Sequence, residues 1–367
     1  MNFPATLFGY IARQFLTWFA GIFLLILALI FLGDFIELIR RAADRPSVTM
    51  VMLLQMAALK LPNTALEVTP FAVLLGSILA LWRMTRSQEL IVARAAGVSV
   101  WQFLTPAIAI AFLIGLVGVM VFNPLASAME ATYKQMDNRL LRSQQQSPLL
   151  SSSGLWLRQS DGDGMQTVIH GQSLSQNSLE IGNVTFYFFR RDDSMARRID
   201  GRVAVLEKGH WVIRDAWEWR PERQPESRQV GEVLVPSNLT PHKIEESFAA
   251  PETMSFWQLP GFIDLLERSG FSAQRHKVYF DSLLARPFLL CSMVLIAAIF
   301  SLRMQRRGGT TMMLIGGVAS GFLLYFLSDV VFALGVSSTI PVALAAWTPA
   351  GVSALLGATF LLHLEDG

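Results

Sequence analysis

The sequence predicts an α-helical membrane protein with six spans, three before and three after an inserted all-β, jelly-roll-like domain. Three observations carry this. Long apolar runs fall in two blocks, three within residues 11–125 and three within 278–363. Between the blocks, residues 127–277 hold no run of the roughly 20 apolar residues that a bilayer crossing takes, and they read as short strands separated by turns. The chain is also 52% hydrophobic and only 16% charged, with mean hydropathy +0.43, whereas soluble domains carry about a quarter charged residues. The expected division is 1–126 for the first helical block, 127–277 for the β-domain with flanking helices, and 278–367 for the second block.

Span 1 covers about 11–36. No small-residue cleavage site follows Phe15–Leu32, and Asp34, Glu37, Arg40 and Arg41 do, so a retained span is expected and not a signal peptide. Span 2 lies within 50–82, too long for one straight crossing. Pro62 is expected to end a re-entrant or interfacial segment, with the crossing proper from 63 to 82, which also holds Pro70. Thr85 and Gln88 fit a capping box and Gly97 a helix stop, so residues 85–97 should form a short helix with Leu90, Ala93 and Gly97 on one stripe. Span 3 covers about 101–124 and should end at Asn123-Pro124, with a polar helix extending over Ala126–Gln146.

From Leu155 onward the strands alternate, as in Thr185–Phe189, Val203–Val205, Trp211–Ile213, Trp217–Trp219 and Val233–Val235. Turns are expected at Asp161–Gly164, Arg191–Asp193, Lys208-Gly209 and Pro221–Pro225. Trp211, Trp217 and Trp219 read as sheet core. Phe186, Phe188 and Trp211 should line an apolar interior able to receive acyl chains, and an open sheet edge could pair with a similar domain. An amphipathic helix over Ser255–Ser269, ended by Gly270, leads into span 4 at about 279–302, with Pro287 inside it. Spans 5 and 6 cover about 310–334 and 341–363. Gly316-Gly317 and Ser320-Gly321 form a small-xxx-small pattern for close helix packing, and Asp329 should face protein or water. Arginines 13, 83, 86, 94, 303, 306 and 307 against Arg40, Arg41, Arg45, Arg275 and Lys277 put both termini inside and the β-domain outside the cytoplasm.

The net charge of +2 points to no nucleic-acid partner. The single cysteine, Cys291, allows no disulfide within the chain. There is no P-loop, no HExxH and no paired-cysteine zinc pattern, and histidines 170, 210, 242, 276 and 363 have no ligand spacing. No catalytic residue, no metal ligand and no cofactor of this chain's own is expected, and an enzyme is not.

Two stretches carry binding chemistry. The 85–97 helix either lies on lipid headgroups or docks into a cytoplasmic partner. Glu89 favours docking, because an acid is poorly placed against anionic headgroups. At the far end of span 1, Arg40, Arg41 and Arg45 either pair with Asp34 and Glu37 or grip an anionic lipid, for which the guanidinium fork is suited. Lys134 could join them. The function classes left open are a transporter subunit, a lipid-modifying membrane enzyme with its site in the β-domain, and a membrane-anchored envelope scaffold.

The run Ser87-Gln-Glu-Leu-Ile-Val-Ala-Arg-Ala-Ala-Gly97, with Pro70–Gly76 before it and Ser153-Gly-Leu-Trp156 after it, resembles the LptF/LptG family of lipopolysaccharide export permeases. The layout of three spans, β-domain and three spans is similar over essentially the whole chain. Tyr10, Phe35–Ala42 and the form of the second helical block are more similar to the LptG branch. The resemblance implies a permease subunit of an ABC transporter in the inner membrane. Its partners would be a related LptF-like permease, a cytoplasmic LptB-like ATPase dimer that uses the ATP, and an LptC-like periplasmic bridge protein with a membrane anchor. Its cargo would be lipopolysaccharide, drawn from the membrane and passed to the bridge. On that reading Arg40, Arg41 and Lys134 contact lipid, and Arg86, Glu89, Leu90, Ala93 and Gly97 couple to the ATPase. Asp34 and Asn63 depart from the basic character expected near the lipid grip.

Overall fold

The computed structural model describes residues 5–43, 45, 48–141, 149–151, 154–160, 166–171, 173–174, 180–190, 194–207, 209–220, 228–237, 250–268, 272–302 and 310–366. Ser153, Arg303, Arg306, Arg307, Lys208, His242, Gly270 and the expected turns at 161–164, 191–193 and 221–225 lie outside them, as do residues 142–146. The chain divides into two compact units. One comprises Met1–Leu141, Glu252–Trp257 and Gln274–Gly367, the other Arg142–Pro251 and Gln258–Ala273.

The helical unit contains α1 (Ala5–Ala42), α2 (Met50–Arg86), α3 (Glu89–Ala95), α4 (Val100–Val117) and α5 (Asn123–Leu140). After the β-unit come α7 (Gln274–Ser301), α8 (Thr310–Val336) and α9 (Val342–Asp366). Among the described residues, six helical stretches are long and apolar enough to cross a membrane. At 1.5 Å per residue, the 38-residue α1 is about 57 Å long and outreaches the hydrocarbon core. Its Leu24, Leu25, Leu29 and Leu32 are exposed.

Two expectations at prolines are corrected. Pro62 ends nothing, because α2 runs unbroken from Met50 to Arg86 with Pro62 and Pro70 inside it. Neighbouring helices and side-chain hydroxyls sustain such a helix, and here Thr64 and Thr69 donate to the carbonyls of Lys60 (3.3 Å) and Ala65 (2.7 Å). Asn123-Pro124 likewise ends no helix. A π-turn over Gly118–Phe122 joins α4 to α5, and Pro124 occupies the first turn of α5, where its missing N–H costs little. The small-residue pattern of span 5 does pack closely. A Cβ on Gly317 or Gly321 would overlap Ile78 or Leu74, so α8 rests on α2 through its glycine face.

The β-unit is an antiparallel sheet of β1 (Leu149–Ser151), β2 (Gly154–Ser160), β3 (Gln166–Gly171), β4 (Ser173–Leu174), β5 (Glu180–Phe189), β6 (Met195–Glu207), β7 (His210–Trp219) and β8 (Arg228–Pro236). The described strands pair in the order β1-β2-β3-β5-β6-β7-β8, with β4 on β5. This is a meander, and it curls: Gln159 of β2 donates to the Pro236 carbonyl of β8 (2.8 Å) and accepts from Ser237 (2.9 Å). Helix α6 (Leu259–Arg268), shorter than the expected 255–269, packs Leu266, Phe262 and Ile263 against the inner face.

Phe186, Phe188 and Trp211 are fully buried against one another, with ring centroids 6.5 and 6.1 Å apart. At these residues the interior is a filled core and not a lipid-receiving space. Trp211 is core as expected, but Trp217 is 45% exposed. The cause is a bulge between Ile213 and Ala216, where Asp215 takes φ +55°. One extra residue reverses the inside–outside alternation. Ile213 and Ala216 are therefore both buried, and Trp217 and Trp219 fall opposite Asp200 and Arg198 on the other face.

Candidate functional site

The turn between α2 and α4 is built by three local devices. Gln88 takes the left-handed conformation at φ +60° and starts α3, Gly97 ends it at φ +86°, and Ser99 with Gln102 forms a capping box on α4. The expected Thr85–Gln88 box is absent. Thr85 belongs to α2, and its hydroxyl donates to the carbonyls of Leu81 (2.9 Å) and Ser301 (3.3 Å). The helix therefore covers 89–95, two turns rather than three. Glycine at 97 is required by its backbone angle and not by crowding.

Leu90 and Ala93 are 5% and 9% exposed, but they are buried in this chain's own core with Ile11, Leu81, Met84, Val100 and Phe103. The expectation that a partner would bury them is overturned. The outward face holds Ile91 and Val92, the latter 68% exposed, with Arg94. Sequence reading missed these two because it credited one apolar stripe, whereas Leu90-Ile91-Val92-Ala93 is apolar on both sides of the helix. Glu89 is held from within: its Oε1 accepts from Tyr10 (3.1 Å) and Ser87 (2.8 Å), while its Oε2 is buried without a hydrogen-bond partner among the described residues. The Arg86 guanidinium lies over the Trp82 ring at 5.4 Å.

At the opposite end of the helices the basic residues are largely committed. Arg41 pairs with buried Asp137 of α5 at 2.8 Å, and Arg45 donates to the Leu140 carbonyl at 2.6 Å. Lys134 lies 3.7 Å from Glu130 and 3.9 Å from Glu252. Among the described residues Arg40 pairs with Glu37, along the exposed helix surface, at 2.7 Å. Asp34, a departure in the sequence, has a use: it binds Lys60 of α2 at 2.7 Å. These contacts fasten α1 to α2 and α5 over a core of Leu38, Leu53, Met56 and Leu141.

A cavity of about 320 Å³ lies between α2, α7, α8 and α9. Its walls are mostly apolar, with Phe71, Leu74, Leu289 and Phe332 among them, and Glu67, Arg286 and Asp329 face into it. Asp329 thus has the polar surroundings expected of it. Glu67 and Arg286 were passed over in the sequence, although an ionisable residue inside an apolar run is itself the signal. No group of three or more histidine, cysteine or acidic side chains able to hold a metal occurs among the described residues.

Residues 9–363 match the family described as lipopolysaccharide export system permease LptF/LptG. The chain is 24% identical over 316 residues to the lipopolysaccharide export system permease protein LptG of Escherichia coli K12, covering 83% of this chain and 84% of that protein. It is 21% identical over 362 residues to the protein of the same name from Haemophilus influenzae, covering 94% of each.

Proposed function

Because the chain belongs to the LptF/LptG family of lipopolysaccharide export system permeases, we propose that it is the LptG-like membrane subunit of an ABC transporter that draws lipopolysaccharide from the inner membrane and passes it to a periplasmic bridge. ATP is consumed by a separate cytoplasmic ATPase dimer, and this chain contributes no catalytic group or cofactor. The α3 end of the helices faces the cytoplasm and the β-unit the periplasm. A related permease, LptF-like, completes the membrane part, and the exposed leucines of α1 and the exposed Phe322 and Phe326 of α8 are suited to covering by it or by lipid. The bridge protein is LptC-like, and strand addition at an edge of the β-sheet is a physical route to joining it.

The observation that carries this reading is the construction of α3. It is a short helix wedged into the chain's own core by Leu90 and Ala93, with apolar Ile91 and Val92 left outside. Only Ser87 and Gln88 separate it from α2, and residues 96–99 separate it from α4. A partner pressing on Val92 therefore moves both spans. Glu89 serves as an internal brace to Tyr10 of α1, not as the main contact with a partner. Arg86, Gly97 and Arg94 border the docking face. On the other side of the membrane, Arg40 is the residue best placed to meet an anionic cargo, and Arg41 and Lys134 hold the frame from which it projects.

Affinity purification of the intact complex tests the coupling role. Val92→Glu should strip the ATPase from the permease while leaving the permease folded. An undiminished ATPase yield with Val92→Glu would place the coupling contact elsewhere.

A further inference from the structure

The cavity between α2, α7, α8 and α9 holds an electrostatic arrangement that export of a polyanion does not require. Glu67 of α2, Arg286 of α7 and Asp329 of α8 line it. Counted at 1.5 Å per residue from the helix ends nearest α3, the three groups stand about 28, 22 and 28 Å up their helices. They form one layer, near the headgroup level of the leaflet farther from α3, because the hydrocarbon core is about 30 Å thick. Glu67 accepts one hydrogen bond, from Asn63 at 2.9 Å. Arg286 is within Coulombic reach of Glu67, yet it has no direct ion pair or hydrogen bond with any described residue. A guanidinium among apolar helices is costly unless an anion or water meets it. Between this layer and α3 the wall includes Phe71, Leu74 and Leu289.

We propose that this cavity seats a resident zwitterionic phospholipid with a primary ammonium headgroup. Its phosphate meets Arg286, its ammonium lies between Glu67 and Asp329, and the upper part of one acyl chain lies against the apolar wall. The occupant is structural and distinct from the exported glycolipid. Charge decides between them. Glu252 also lines the cavity, but it is committed to Arg275 at 3.2 Å and Lys134 at 3.9 Å. The remaining two carboxylates and one guanidinium sum to one negative charge, so a zwitterion adds none, whereas an anionic phospholipid or a polyphosphorylated glycolipid adds repulsion. The primary ammonium matters because it donates three hydrogen bonds, and a trimethylammonium group donates none. The volume of about 320 Å³ suits a headgroup and the first carbons of a chain, within the range of ordinary ligand sites. The inference needs the membrane placement but not the export cycle.

The test is native mass spectrometry of the intact complex, released from nanodiscs of phosphatidylethanolamine, phosphatidylcholine or phosphatidylglycerol. One phosphatidylethanolamine should be retained per copy of this chain, and at least about tenfold less phosphatidylglycerol, the size expected for one or two charge-assisted hydrogen bonds. Arg286→Gln should reduce that retention about tenfold, and Arg286→Lys should restore part of it. Glu67→Gln with Asp329→Asn should reverse the preference toward phosphatidylglycerol, which also decides the matter if Arg286→Gln fails to fold. Equal retention of all three lipids, a preference untouched by the acid substitutions, or recovery of lipopolysaccharide alone from this cavity would overturn the proposal. Export assays are not used in the comparison, so a failed export role and an empty lipid seat give separate results.

Discussion

At the scale of single residues, neighbours four positions apart or fewer have opposite uses. Leu90 and Val92 are both apolar and lie on one short helix, but Leu90 is buried in the chain's own core and Val92 is open. Leu90→Ala should therefore destabilise the purified permease, by about 2–5 kcal/mol in the range of large-to-small core changes, read as a lower unfolding midpoint. Val92→Ala should leave that midpoint in place. A common loss of stability in both variants would contradict the assignment of faces. Arg40 and Arg41 divide in the same way. Arg41 is partly exposed and meets a buried acid, so Arg41→Ala should cost about 1–2 kcal/mol once solvent screening discounts the penalty for a buried pair. Arg40→Ala, with its exposed helix-surface partner, should leave the melt unchanged, because solvent screens the pair. Thermal melts of the two variants check this, and Arg40→Glu should reduce crosslinking to lipid without changing the melt.

At the scale of elements, the turns and the bulge decide which faces are presented. Gly97 closes α3 in a conformation that costs a side-chain-bearing residue about 1–2 kcal/mol. Gly97→Val should loosen the α3–α4 junction, seen as faster hydrogen exchange over 89–99, and weaken ATPase retention more than it lowers the global melt. In β7 the extra residue at Asp215 lets Trp211 face the core while Trp217 faces out. Deleting Asp215 removes the extra residue together with the bulge, so plain alternation should keep Ala216 inside and Trp217 outside. The intact permease should then retain its near-ultraviolet tryptophan signal. A deletion variant in which Trp217 becomes protected from an aqueous quencher would show that Asp215 is not the extra residue.

At the scale of the whole molecule, the arginine distribution predicts one orientation, and the proposed function depends on it. With Cys291 replaced by serine, a cysteine at Ser87 should react with an impermeant thiol reagent only from the cytoplasmic side. A cysteine at Arg202, which is exposed on β6, should react only from the periplasmic side. Labelling of Ser87 in intact cells would invert the topology and with it the site of ATPase docking.

The sequence alone determined what depends on local composition and periodicity. Six spans, the all-β insert, the stop at Gly97, the close-packing glycines of span 5 and the family-like run at 87–97 are all written in short windows, because apolar length and turn chemistry act locally. Tertiary structure alone decided what depends on neighbours distant in the chain. Pro62 breaks nothing because packing and hydroxyl–carbonyl bonds sustain α2. Leu90 faces inward because Ile11 and Val100 are there to receive it. Asp34 is a brace because Lys60 reaches it, and Trp217 is exposed because a bulge reverses the strand. The Glu67–Arg286–Asp329 layer is likewise brought together only by the packing of three helices: each ionisable residue stands out within its own apolar span, but which spans face one another is set by residues distant in the chain.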